Sequence, residues 1–322
     1  MKKWISSWLA GILLFLAVGC CLPPTGGPNQ VSILYTVEDA RGKIISFTKK
    51  PQRIVCCQVF ADEILLDLVA HDRIAALSRW VHDDGLSSAV DEAADVKEIV
   101  ESNTESILQV QPDLVILGSN NLPLAEALED AGTKVYVLKN ISHLDEIDDN
   151  ITSLAQVVGE EAKGDELRAG LDADLQQVRQ NSALQLPPVR TLLFLRFGAI
   201  GGEDTIYHDV LVALGLRDAY ADVRGPSSGI GSSMILSKEE IVRCNPELLL
   251  MASWTQGGAY KDSDSQLKEL YSDPAYVSLD AVRNHRSCVI PQRYMNCLSH
   301  HAGKNLIQLA EILRTQLQEQ RK

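Results

Sequence analysis

Arginine, aromatic and histidine residues recur just after apolar runs in this sequence. Arg79, Trp80 and His82 follow Ile74–Leu77, Ser119–Asn121 follow Leu114–Leu117, and Arg196 sits in LRFGAIGG. Trp254 and Tyr260 follow Leu248–Met251, while Arg293, Tyr294, His300 and His301 lie towards the C-terminal end. A guanidinium is a planar, permanently charged fork suited to carboxylate or catecholate oxygens, and Trp or Tyr offers a flat face to a ring system. The mixture suits capture of an anionic, partly planar ligand. Turnover is less well served, since neither an HExxH pair nor a P-loop is present. WVHDDG, the serine-rich VRGPSSGIGSSM and several histidines leave a metal-dependent hydrolase as an alternative, and a free zinc or manganese binder as another. His300 and His301 are metal-ligand types, but neighbours on a helix point about 100° apart and converge on one ion only if they precede the helix.

The elements that must position these residues announce themselves by repetition. NTESILQVQPDLVIL from Asn103 and SKEEIVRCNPELLLM from Ser237 share one layout, 134 residues apart. In each, a Glu (Glu105, Glu239) is followed seven residues on by Pro (Pro112, Pro246), then by an acid (Asp113, Glu247) and four apolar residues. Ser102 with Glu105 and Ser237 with Glu240 have capping-box spacing, which predicts two helix starts. The residue before Pro is pushed out of the helical region, so Gln111 and Asn245 should end those helices. Leu114–Leu117 and Leu248–Met251 are apolar without alternation, as parallel strands covered on both faces are. A duplicated helix–strand unit predicts two similar α/β lobes.

The remaining pattern fits around that pair. TVEDARGKIISF reads as a hairpin about Arg41-Gly42, and PQRIVCC enters a core strand at Ile54. Ala61–Val69, Leu124–Ala131 and a stripe of Ile147, Ile151, Leu154 and Val158 read as helices, with strands at Ile74–Leu77 and Lys134–Leu138. EEAKGDELRAGLDADLQQVRQNSAL places Leu167, Leu171, Leu175 and Val178 on one stripe, and about 20 helical residues would span about 30 Å. Pro187-Pro188 ends it, and Val189–Phe197 opens a second alternating series that closes in a helix carrying Leu306, Ala310, Leu313 and Leu317. Five cysteines beyond the CC pair (Cys56, Cys57, Cys244, Cys288, Cys297) read as small buried hydrophobes, with a Cys288–Cys297 bridge left open.

At the N-terminus Lys2 and Lys3 precede a short apolar run, and Leu16-Ala17-Val18-Gly19-Cys20 resembles a bacterial lipobox that makes Cys20 the lipidated residue. Pro23–Gln30 then reads as a tether. Loss of Lys2 and Lys3 takes the formal net charge from −13 to −15, which disfavours nucleic acid as a partner.

The ordered set PQRIVCCQVFADEILLDL, DRIAALSRW, NTESILQVQPDLVIL and SKEEIVRCNPELLLM resembles the class III substrate-binding proteins of ABC importers for ferric siderophores, cobalamin and haem. The resemblance runs from Tyr35 essentially to the end of the chain. It implies an α/β fold: two Rossmann-like lobes with parallel-type sheets joined by a single long α-helix, ligand in the cleft between them, and little hinge closure. The expected division is 1–30 leader and tether, 31–158 N-terminal lobe, 159–186 interlobe helix and 187–322 C-terminal lobe. The implied protein is no enzyme and has no cofactor of its own. It is exported, anchored by lipid to the outer face of the cytoplasmic membrane (periplasmic or cell surface), and delivers cargo to an ABC permease dimer with a cytoplasmic ATPase. The cargo implied is a ferric siderophore-type chelate, with cobalamin or another corrinoid, or haem, as the alternative. By the family match Glu105 and Glu239 meet permease arginines, with Glu240 a competitor for the second role. Loops at the carboxyl ends of strands line such clefts, which gives Arg79, Trp80, Arg196, Trp254, Arg293, Tyr294 and His300 as the ligand-binding set. The chain departs from the family in Gly229–Met234, which lacks the Trp of cobalamin and hydroxamate binders, and in Ser119-Asn120-Asn121, which lacks an axial Tyr for haem.

Overall fold

The hairpin expected about Arg41-Gly42 forms in the computed structural model as β1 (Tyr35–Glu38) and β2 (Ile44–Phe47), antiparallel with Tyr35 opposite Phe47. The structure describes residues 32–195, 198–224, 235–253, 263–295 and 297–319. Cys20, Arg196, Trp254, Tyr260 and the Gly229–Met234 loop fall outside them.

Two sheets follow in the chain. The first is all parallel and uses β3 (Ile54–Cys56), β4 (Ile74–Ser78), β5 (Ile99–Val100), β6 (Leu114–Gly118) and β7 (Val135–Leu138) in the order β5-β4-β3-β6-β7. The second uses β8 (Arg190–Leu195), β9 (Gly198–Ile200), β10 (Arg217–Asp218), β11 (Leu248–Ser253) and β12 (Ser287–Pro291) in the order β10-β8-β11-β12, parallel throughout, with β9 antiparallel on β8. The orders coincide when β8, β10, β11 and β12 are laid on β3, β4, β6 and β7. In both sheets the strand order therefore reverses beside the first strand, the place where open α/β sheets form a crevice.

The duplication extends to backbone detail. Gln111 (φ 49°) and Asn245 (φ 41°) both take the left-handed conformation before their prolines, ending helices Thr104–Gln109 and Lys238–Cys244. The following Pro requires these residues to leave the helical region, and the left-handed conformation does so. Asp113 then accepts a hydrogen bond from the Arg53 N–H (2.9 Å), just as Glu247 accepts one from the Arg190 N–H (3.1 Å). Each acid thus pins the entry of the neighbouring strand. One detail of the repeat differs. Ser237 and Glu240 form the reciprocal capping box, whereas Ser102 and Glu105 do not: Asn103 caps the first helix, accepting from the Ser106 N–H at 2.9 Å. The first helix starts one residue later than its spacing suggested, because an Asn side chain is as good a cap as a Ser.

Alternation along each strand sorts the core into layers. Ile54, Leu114 and Ile116 face one side of the first sheet, while Val55, Val115 and Leu117 face the other. In the second sheet Leu193, Leu248 and Leu250 face one side, with Leu192, Phe194 and Leu249 opposite. The faces carrying Ile54 and Leu193 belong to one continuous cluster that also takes in Leu171 and Val178 of the 20-residue helix Glu161–Gln180 and Leu306 and Leu313 of the C-terminal helix Ala302–Glu319. That contiguous apolar core resists relative movement of the sheets, because opening it would expose apolar area at about 25 cal/mol per Å². All five cysteines of the body are buried, and no disulfide joins Cys288 to Cys297.

Near the start of the second sheet, the buried carboxylate of Asp218 accepts hydrogen bonds from the backbone N–H groups of Gly202, Tyr220 and Ala221 and pairs with His208 Nδ1 at 3.3 Å. The Asp218 bond raises the His208 pKa against the opposing effect of burial. A His whose pKa rises on folding contributes stability that is complete below its unfolded value and is lost as pH rises through the folded one. His208→Gln is accordingly expected to flatten the fall in melting temperature between about pH 6 and pH 8. Thermal unfolding followed across that range checks it, and identical pH profiles for the two proteins would refute the assignment.

Candidate functional site

The loops leaving β4 and β12 meet. β4 runs into a short 3-10 turn, Arg79–His82, and β12 into another, Gln292–Tyr294. The Arg293 N–H donates to the Gly85 carbonyl at 2.8 Å, so the loop after β4 is joined directly to the turn after β12. Next to this joint lies a hollow of about 380 Å³ whose lining includes Asp84, Asp91 and Glu92 from the segment after β4, Arg293 from the turn after β12, and His301 and Lys304 at the start of the C-terminal helix. That volume lies within the range of small-molecule sites.

The structure distributes the residues singled out in the sequence. Arg79 stacks its guanidinium 4.2 Å from the Trp80 ring centroid and reaches Glu101 at 3.3 Å. Arg293 borders the hollow and lies 4.8 Å from the Tyr294 ring centroid. Tyr294 itself is buried, its hydroxyl donating to Gln308 at 3.1 Å while the Arg293 guanidinium donates to it at 3.3 Å. It therefore orients Arg293 rather than opening to the hollow. His300 is also buried, with Nε2 at 2.7 Å from Asp67 Oδ2. Its neighbour His301 is held neutral: burial, then the adjacent His300, lower its pKa to about 4.

Sequence reasoning missed the polar seam behind the hollow. Glu63, 3% exposed, accepts from the Ser87 hydroxyl (3.0 Å), the Ser88 N–H (2.7 Å) and the Ser299 hydroxyl. Burial raises its pKa even though those three donors favour the anion. Asn305 donates to the Ser88 hydroxyl at 2.8 Å and extends the seam. A signal was present: charged Asp62, Glu63 and Asp67 sit in the otherwise apolar helix Val59–Leu68, and a charge on a buried face needs partners.

The duplicated helices present a second surface. Glu105 and Glu239 occupy the same position, second in their helices, and both are exposed. Among the described residues neither forms an ion pair. Glu240, by contrast, is committed to Ser237, whose backbone and hydroxyl bonds hold its carboxyl below the ordinary range.

Two parallel sheets of matching order with a pocket where their carboxyl-end loops meet define a two-lobed binding protein. A family model described as periplasmic binding protein matches residues 54–294, and the chain belongs to that family. It is a class III substrate-binding protein of ABC transporters, a transport component and not an enzyme. It is 21% identical over 301 residues, 89% of each chain, to the uncharacterized ABC transporter substrate-binding lipoprotein YvrC of Bacillus subtilis (strain 168). It is 27% identical over 232 residues, 69% of this chain and 68% of the relative, to the iron-uptake system-binding protein of the same organism. In fold it is similar to the periplasmic heme-binding protein RhuT from Roseiflexus sp. RS-1 in apo form, with TM-score 0.67 and 20% identity over 82% of this chain and 98% of that one.

Proposed function

We propose that this protein is the extracytoplasmic, lipid-anchored binding component of an ABC importer and carries a ferric siderophore-type chelate to the permease. The observation that supports this most is the hollow formed where the loops after β4 and β12 meet, with Arg293 on its wall. In this reading 31–158 and 187–322 act as lobes across 159–186, Cys20 carries the lipid, and Glu105 and Glu239 dock on the two permease subunits. Arg293 and Lys304 are the cations of a wall that also carries Asp84, Asp91 and Glu92, so they would take the anionic groups of a chelate, while the Arg79–Trp80 stack lies outside that lining. Arg196 and Trp254 belong to the same proposed set. Tyr294 and His300 support it from within the fold.

The relatives agree with iron as cargo, one being named for iron uptake and one for haem. Native mass spectrometry and tryptophan quenching against ferric catecholate, hydroxamate and citrate chelates, a corrinoid and haem decide the ligand. Binding of a ferric chelate is expected; binding of haem alone would replace the cargo, and binding of no chelate at all would overturn the reading. Arg293→Ala is expected to weaken chelate affinity by about 1.5–3 kcal/mol, the range for hydrogen bonds to charged groups, with little change in melting temperature. Titration of the variant checks this, and an unchanged affinity would remove Arg293 from the site.

A further inference from the structure

We propose that Asp67, His300 and His301 form a binding site for a zinc-type divalent cation, which would tie the start of the C-terminal helix to the end of helix Val59–Leu68. The three side chains each offer one ligand atom, and those atoms lie within 4.8 Å of one another. Metal–ligand bonds of about 2.0–2.2 Å require the atoms to approach to roughly 3.3 Å in a tetrahedral site. Side-chain rotation covers the difference. The condition set by the sequence is also met: both histidines precede the C-terminal helix, which begins at Ala302, so the divergence of helical neighbours does not apply. Their rings instead lie 4.0 Å apart between centroids, with planes inclined by 42°.

The donors are the right kind and two nitrogens lack partners. A carboxylate oxygen and two imidazole nitrogens make a borderline set that suits zinc and its neighbours better than magnesium or calcium. Nδ1 of His300 and Nε2 of His301 are buried and accept or donate no hydrogen bond among the described residues. Buried polar atoms are nearly always satisfied, so the orphaned Nε2 of His301 points to a missing partner; on His300 the nitrogen facing Asp67 is Nε2, at 2.7 Å from Oδ2, and a cation shared by the two would replace that bond. Glu63 lies one turn before Asp67 on the same helix, and Lys304 follows His301 by three residues on the facing element. The Asp67 side chain is 43% exposed, which leaves the site open to solvent on one side and makes room for a water as fourth ligand. Asp67 and His300 do not border the hollow, so the site adjoins the proposed cargo pocket without being that pocket.

Because His301 also borders the hollow, zinc is titrated in the absence of any chelate. Isothermal titration of tag-free, chelator-stripped protein with zinc is expected to show one ion per chain, and Asp67→Asn and His301→Gln are each expected to weaken binding at least about tenfold. Zinc at 100 times its dissociation constant should raise the melting temperature by about 5 °C in the parent and not in the variants. Asp67→Asn changes a half-exposed side chain, so its fold is checked by circular dichroism and remains informative if His301→Gln fails to fold. Cobalt substituted for zinc should give visible absorption bands that disappear in Asp67→Asn. No stoichiometric zinc at micromolar concentration, or zinc binding unchanged in Asp67→Asn, would overturn the proposal.

Discussion

Reversing both duplicated glutamates, Glu105→Arg with Glu239→Arg, is expected to abolish import while leaving ligand affinity unchanged. The two residues stand second in equivalent helices, exposed and without an ion pair among the described residues, on units that the chain repeats down to the left-handed residue before Pro. A twofold permease would meet them as a matched pair. A rim ion pair contributes about 0.2–1 kcal/mol, so single alanine changes should be mild. Reversal adds repulsion against the permease arginines and is expected to cost several kcal/mol. Part of any effect comes from the helices themselves, since an acid in the first turn is favoured by about 0.3–1 kcal/mol and a base is not. Circular dichroism and melting of the free protein separate that contribution. Transport by reconstituted importer, measured beside ligand titration, is the decisive pair of readouts. Full import by the double variant would reduce both glutamates to helix-start residues, and loss of ligand binding would place them in the cargo site instead.

A second large effect is expected where helices cross the long helix Glu161–Gln180. A Cβ on Gly164 would lie 2.4 Å from Ala155 Cβ, and one on Gly303 would lie 2.4 Å from Asp174 Cβ. Both crossings are too close for any side chain. Gly164→Leu with Gly303→Leu should therefore lower stability by about 2–6 kcal/mol, taking 1–3 for each overpacked site and additivity for separated ones. The melting temperature should fall by roughly 5–15 °C. Gly170 lies in the same long helix, and a Cβ added there would meet nothing within 4 Å, so Gly170→Ala should hold or raise stability by up to about 1 kcal/mol through helix propensity. Calorimetry of the two variants beside the parent tests the contrast. Equal melting of the Leu double variant and the parent would mean that the crossings relax freely. Close crossings and a continuous core would oppose hinge closure.

Features that depend on neighbours a few residues away are legible in the sequence alone. Pro112 and Pro246 fix where two helices stop, Ser237 with Glu240 fixes where one starts, and unbroken apolar runs at Leu114 and Leu248 fix strands covered on both faces. These are short-range steric and hydrogen-bonding rules, and the repeat made them legible twice. They misled only where two caps competed, at Ser102 and Asn103. Tertiary structure decided whatever joins distant segments. Ser299 reaches Glu63 and His300 reaches Asp67 across more than 230 residues, and no local rule brings such pairs together. Helix propensity alone disfavours Gly164 and Gly303, and only the packing of three helices shows that their missing side chains permit the crossings. Long-range order of this kind follows from which surfaces fit, a property of the assembled core rather than of any window of the chain.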